Sequence, residues 1–338
     1  MYRRAMPVLL VTHERYLEHD TGRWHPERPA RMGAALRGIE AAGTAEDLVR
    51  LAPTPATRDQ VARVHDATMV DALERFCREG GGEIDTDTIA CPQSFEVALL
   101  AAGAGLSAID ALDRGEADAA FCAVRPPGHH ATPTRLMGFC LVNNIAVTAS
   151  ALADRGERVM IVDWDAHHGN GTQEVFWEDD RVLFVSMHQY PFWPGTGALD
   201  DVGAGRGTGF TINVPFAAGT PGDAYRAAVE EVVVPAAERF GPTWLLLSAG
   251  FDAHRADPLT DLGLSAGDYV ELTRRVVELV PAGHRIAFLE GGYDLDALAR
   301  SAGSCVAALS GEAYRPEAST TGRQGREVVA AVRHQHGL

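Results

Sequence analysis

The sequence predicts an α/β domain of three layers, a mostly parallel sheet of about eight strands with helices on both faces. Two observations carry this. Short apolar runs alternate with longer segments of helical periodicity, the pattern of strands joined by crossover helices. In addition, acid, imidazole and phenol groups gather just after four of those runs, where an open parallel sheet binds its ligands.

Taken in order, buried strands are expected at residues 7–12, 119–124, 158–162, 182–188, 210–214, 244–248 and 285–289. Helical segments lie near 28–42, 95–112, 142–154, 223–238, 266–279 and 294–309. That makes seven strands; pattern alone does not resolve an eighth. No repeat period or linker divides the chain, so one domain is expected over residues 1–310. The polar stretch 311–338 is expected to be a peripheral tail, with a short helix at 325–334.

The chain has 338 residues, 46% of them hydrophobic and 22% charged, enough to bury a large core. Thirty cations face 46 carboxylates, a net charge of −16. This argues against a nucleic-acid or anionic membrane surface and leaves room for a cationic substrate. All thirty cations are arginine. Without lysine, a pyridoxal Schiff base, a Walker phosphate clamp, a kinase site and an amine-nucleophile aldolase are excluded. The five cysteines (Cys77, Cys91, Cys122, Cys140 and Cys305) are odd in number and contain no C-x-x-C pair. They read as reduced thiols. Residues 1–12 carry no signal-peptide pattern, and no window approaches about 18 uninterrupted apolar residues. A cytoplasmic protein without a membrane partner is therefore expected.

The chemistry is concentrated at four strand ends. Asp163, Asp165 and His167 follow one strand at two-residue spacing, which strand alternation would place on one face. Asp-x-His is a chelating pair, and Asp252 from another strand end would complete three protein ligands. Three ligands with an open fourth position is the pattern of a catalytic zinc. His129 and His130, adjacent after a Pro-Pro-Gly turn, suit a general base and its electrostatic partner. Tyr293, after Gly291 and Gly292, can offer its hydroxyl to a developing oxyanion. Each motif alone is more often an ordinary polar turn; their combination points to a metal hydrolase.

The motifs R-P-P-G-H-H, G-F-C, V-D-W-D-A-H-H-G-N-G, P-G-T-G, G-F-D-A-H-R-A-D-P-L and E-G-G-Y run in this order. Starting from His25-Pro26-Glu27-Arg28 and ending at about Ser310, they resemble the histone deacetylase superfamily. The resemblance is strongest to its class II branch, with the bacterial deacetylase-like amidohydrolases and acetylpolyamine amidohydrolases. It implies the arginase–deacetylase fold, with an eight-stranded parallel sheet, and zinc-dependent removal of acetyl or short acyl groups from amines.

Residue by residue, the resemblance implies a zinc ion on Asp165, His167 and Asp252. His130 would be the general base and acid, His129 its electrostatic partner, and Asp163 the group that orients His129. Asn170 stands where class I members carry a second aspartate and class II members an asparagine; a neutral partner leaves the imidazole less basic. Tyr293 matches the transition-state tyrosine. Phe139 and Trp193 would wall a narrow substrate channel, with Gly138 giving passage. A potassium ion is implied beside the zinc, on Asp163, the carbonyls of Asp165 and His167, and the Ser186 hydroxyl; a second lies around Phe176 in the family. Asp87 matches a rim acid that grips the substrate backbone.

Two rivals share the fold. Arginase-type enzymes use two manganese ions and need acids where this chain has Gly169 and His254. Acetylpolyamine hydrolysis is the nearer rival. Leu259, just after Asp257-Pro258, is an apolar gatekeeper as in lysine deacetylases, which favours an acyl-lysine side chain over a small N-acetylated amine. A catalytically silent acyl-lysine binder would not need the ligands, both histidines and the tyrosine together. The oligomeric state is left open, a homo-oligomer included.

Overall fold

A computed structural model describes residues 7–43 and 48–338; the start of the expected domain, residues 1–6, lies outside them, as do residues 44–47. In chain order the strands are β1 (Val8–Val11), β2 (Leu48–Leu51), β3 (Gly82–Glu83), β4 (Ile89–Ala90), β5 (Ala119–Cys122) and β6 (Val159–Asp163). They continue with β7 (Val182–Gln189), β8 (Thr211–Phe216), β9 (Trp244–Ala249) and β10 (Arg285–Leu289). Eight form one sheet in the order β2-β1-β5-β10-β9-β6-β7-β8, and every neighbouring pair is parallel. β3 and β4 make a small antiparallel hairpin.

The seven apolar runs correspond to seven of the eight sheet strands. The eighth, β2, lies at the sheet edge and pairs only with β1. Its Val49 and Arg50 are exposed, so it lacks the continuous apolar run of a strand covered on both faces.

The helices are α1 (Ala30–Ala41), α2 (Arg58–Val61), α3 (Ala67–Arg78), α4 (Ser94–Asp113), α5 (Asn144–Asp154) and α6 (Asn170–Val175). After them come α7 (Gly222–Ala228), α8 (Val234–Phe240), α9 (Ala266–Val276), α10 (Leu295–Leu309) and α11 (Arg326–His336). Val229–Val233 winds as a π-helix between α7 and α8, where one uninterrupted helix was expected. Starts are set by local caps: the Asn143 side chain accepts from Ala146 N–H, and Asp294 accepts from Asp296 and Ala297.

Helix α4 is long and apolar enough to cross a membrane by length and composition. Here it is a mostly buried helix packed against α5 and the sheet. The stretch after Ser310 is tied down at several points. Val329 and Val332 of α11 are buried, and the Arg239 guanidinium donates to the carbonyls of His336 (3.0 Å) and Gly337 (2.8 Å).

The sheet order also positions the chemistry. The four strands whose ends carry the polar motifs, β5, β10, β9 and β6, are contiguous in the middle of the sheet.

Candidate active site

β6 ends at Asp163, and the chain then turns on its own carboxylates. Asp165 N–H donates to Asp163 Oδ1 (3.1 Å), and His167 N–H donates to Asp165 Oδ1 (2.9 Å). Successive side-chain-to-backbone turns, rather than strand alternation, therefore gather these residues. Asp163 faces one neighbour while Asp165 and His167 face another.

That other neighbour is Asp252, in the loop after β9. Its Oδ2 lies 2.9 Å from Nδ1 of His167, and Asp165 Oδ1 lies 3.2 Å from the same nitrogen. One ligand atom from each of the three falls within 4.8 Å of the others. The remaining carboxylate oxygens are held by backbone: Gly291 N–H donates to Asp165 Oδ2 (2.8 Å) and Ala166 N–H to Asp252 Oδ1 (2.7 Å). Burial, and then the charge of Asp165, push the Asp252 carboxyl up to about 7. Two buried carboxylates and one imidazole nitrogen facing a common point suit a small divalent cation.

His129 Nδ1 donates to Asp163 Oδ2 (2.9 Å). Burial disfavours its charged ring, but Asp163, Asp165 and Glu290 outweigh that and raise its pKa to about 10. The His130 ring centre is 3.9 Å away, and its Nδ1 donates to Asn170 Oδ1 (2.8 Å), which leaves Nε2 free to accept. Burial, with the charges of His129 and His167, holds His130 neutral, well below 6.5. Adjacent imidazoles thus differ in charge because carboxylates outweigh burial at His129, while at His130 burial and the charges of His129 and His167 prevail.

Tyr293 N–H is held by Asp257 Oδ2 (2.7 Å), and the Arg31 guanidinium lies 5.0 Å from its ring centre. Arg31 is itself fixed to the Gly292 carbonyl (2.7 Å). Phe139 packs edge-on against Tyr293 (5.7 Å), and Trp193 edge-on against His130 (4.7 Å) and His167 (5.9 Å). At Gly138, with φ +58°, a Cβ would stand 2.5 Å from Trp193 and 2.6 Å from His130, so only glycine fits. Phe139 shares the left-handed conformation, φ +66°, with its N–H held by Thr88 Oγ1 (3.1 Å).

The outer residues are placed less directly. Asp87 is half-buried; its carboxylate accepts from Thr88 Oγ1 (2.9 Å) and its carbonyl from His25 Nε2 (2.9 Å). Leu259 is half-buried with its N–H on Asp257 Oδ1 (3.0 Å). Ser186 lies beside Asp163 in strand register, and its hydroxyl pairs with His188 Nδ1 (2.9 Å).

The two positions where arginase-type enzymes carry further acids hold Gly169 and His254. A Cβ at Gly169 would come within 2.3 Å of Asp163 Oδ2, and His254 Nε2 is engaged by Glu317 Oε2 (2.7 Å).

Sequence reasoning missed three supports. Arg31 and Asp257 fix Tyr293, and buried Glu290 accepts from the N–H groups of Gly128 (2.7 Å) and His129 (3.3 Å). Glu290 and Asp257 stand inside quoted motifs, but nothing in a one-dimensional pattern says that a charged side chain is buried.

The histone deacetylase domain model matches residues 25–309. The chain belongs to the histone deacetylase family. It is 41% identical over 309 residues to a probable deacetylase of Archaeoglobus fulgidus, covering 89% of this chain and 86% of the relative. A histone deacetylase-like amidohydrolase of Pseudomonas aeruginosa is 40% identical over 276 residues, 80% of this chain and 72% of that one. The crystal structure of the HDA15 HD domain superposes with a TM-score of 0.90 at 36% identity, covering 98% of this chain and 94% of that one. The family and the parallel eight-stranded sheet together give the arginase–deacetylase fold. As a member of this family the protein is a hydrolase of the deacetylase and amidohydrolase type, acting on acetylated amines.

Proposed function

We propose that this histone deacetylase family member is a zinc-dependent enzyme that removes acetyl or short acyl groups from acyl-lysine-like amines. The observation that carries the reading is the Asp165–His167–Asp252 cluster, two buried carboxylates and a half-buried imidazole, beside a neutral His130. Asp165, His167 and Asp252 would hold the zinc, and their surplus of negative charge favours a divalent cation there. When bound, zinc supplies Lewis-acid polarisation of the amide carbonyl and acidifies a water.

The chain's own groups do the rest. His130 Nε2 takes the proton from the attacking water and returns it to the leaving amine. Asn170, a neutral acceptor at Nδ1, keeps this imidazole in the tautomer that can do so. His129, cationic against Asp163, lends positive charge beside the forming oxyanion without competing for the proton. The Tyr293 hydroxyl donates to that oxyanion. Phe139 and Trp193 exclude water from the acyl stem. A potassium ion on Asp163, the carbonyls of Asp165 and His167, and Ser186 belongs to the same reading.

Apolar Leu259 supports acyl-lysine over a polyamine, whose distal ammonium calls for an acid at the channel mouth. The test is a panel of acetyl-lysine peptides against acetylated putrescine, cadaverine and spermidine, with zinc content measured on the same preparation. Higher kcat/KM on peptides is expected. A preference for the polyamines overturns the substrate assignment, and full activity without zinc overturns the metal.

A further inference from the structure

Glu317 lies beyond residue 309, where the family match ends, yet it reaches the loop that follows β9. Its Oε2 accepts from His254 Nε2 (2.7 Å) and from Ala266 N–H at the start of α9 (2.9 Å), and its Oε1 accepts from Arg255 Nη2 (3.1 Å). The His254 side chain is 1% exposed and that of Glu317 15%. Within the loop, Ala256 N–H donates to His254 Nδ1 (3.1 Å) and Asp257 N–H to the His254 carbonyl (2.8 Å). The ring is therefore an Nε2–H tautomer, donating to Glu317 on one side and accepting from its own loop on the other. That loop runs from Asp252, at the metal cluster, to Asp257, which holds the Tyr293 backbone. The segment carrying Glu317 is itself anchored, by Ser304 Oγ on the Tyr314 carbonyl (3.0 Å) and by Thr320 Oγ1 on buried Asp268 (2.8 Å).

We propose that Glu317 is a positioning residue: through His254 it clamps residues 252–260, so that the segment after residue 310 sets both Asp252 and Tyr293. The proposal rests on the zinc reading only for its catalytic consequence. A charge-assisted hydrogen bond at a nearly buried site suppresses local opening strongly.

The experiment compares wild type, Glu317→Gln and His254→Gln by hydrogen exchange, by the half-time of zinc loss to a chelator, and by steady-state kinetics. In both variants, exchange across residues 252–266 should accelerate about tenfold to a hundredfold, with β6 and β7 unchanged. Zinc loss should quicken in step, and kcat should fall with KM held. Exchange equal to wild type, exchange faster over the whole domain, or local exchange with unchanged zinc loss and kcat each overturns the proposal. A wild type that binds no zinc sinks the metal reading instead, and the exchange data, which need no metal, still decide the clamp.

Discussion

Two buried charged clusters lie on either side of the loop of β10, and they are built oppositely. In one, Glu27 sits between Arg125 and Arg31. The Arg125 Nε and Nη2 donate to its two carboxylate oxygens (2.6 and 2.8 Å), and Arg31 Nη1 donates at 3.0 Å. Burial would raise the Glu27 pKa, but Arg125 and then Arg31 pull it down to about 2. The spare guanidinium protons go to carbonyls of Tyr16, His19, Gly292 and Glu290. In the other, Asp165 and Asp252 face each other across one imidazole, and Asp252 is pushed up to about 7. The first cluster has its partners built in and holds the fold together. The second sets two carboxylates against one imidazole, whose pKa Asp165 and Asp252 raise to about 10 against its burial, an arrangement compatible with a metal ion in the place of that proton.

The same substitution, carboxylate to amide, should then have opposite consequences. Under the proposed zinc reading, Asp252→Asn weakens a ligand and should cost about 10³ or more in kcat/KM, with zinc content falling in parallel. In metal-stripped protein it removes both the repulsion from Asp165 and the pairing with His167 (2.9 Å), two opposed effects, so its urea midpoint should stay close to wild type. Full zinc occupancy in the variant, or a clear loss of metal-free stability, breaks the contrast.

Glu27→Gln leaves two buried guanidinium groups without their counter-charge. A loss of about 3–5 kcal/mol is expected, measured by urea denaturation whether or not metal is present. A variant as stable as wild type would mean that the carbonyls alone suffice.

Tyr293→Phe sharpens the comparison from the side of chemistry. It keeps the ring against Phe139 and Arg31 and leaves both clusters intact. kcat should drop by about 10²–10³, with folding, zinc content and substrate affinity little changed. Near wild-type kcat would reduce Tyr293 to a packing residue.

The smallest effect concerns pH. Burial raises the Glu317 pKa, but the Ala266 N–H and His254 outweigh it and bring the carboxyl from 4.5 down to about 2. A depressed folded pKa contributes stability above the unfolded value, which is lost as pH falls through the folded one. The gap in urea midpoint between wild type and Glu317→Gln should therefore be full above pH 4.5 and shrink toward pH 2. A gap independent of pH across that window would show that the Glu317 charge contributes nothing.

Much of this was legible in the sequence because buried parallel strands are apolar throughout and their polar continuations stand out. Asp165, His167, Asp252, His129, His130 and Tyr293 all follow such runs, so the sequence determined the fold class and the chemical groups. It did not determine β2, whose edge position leaves half its residues wet. What only the tertiary structure decided is adjacency. Four strands far apart in the chain become neighbours in the order β5-β10-β9-β6, and only then do Asp165 and Asp252 oppose each other. The same holds for Arg31 beside Tyr293 and Glu317 on His254. Electrostatic roles depend on distance and burial, and a linear pattern contains neither until the chain has folded.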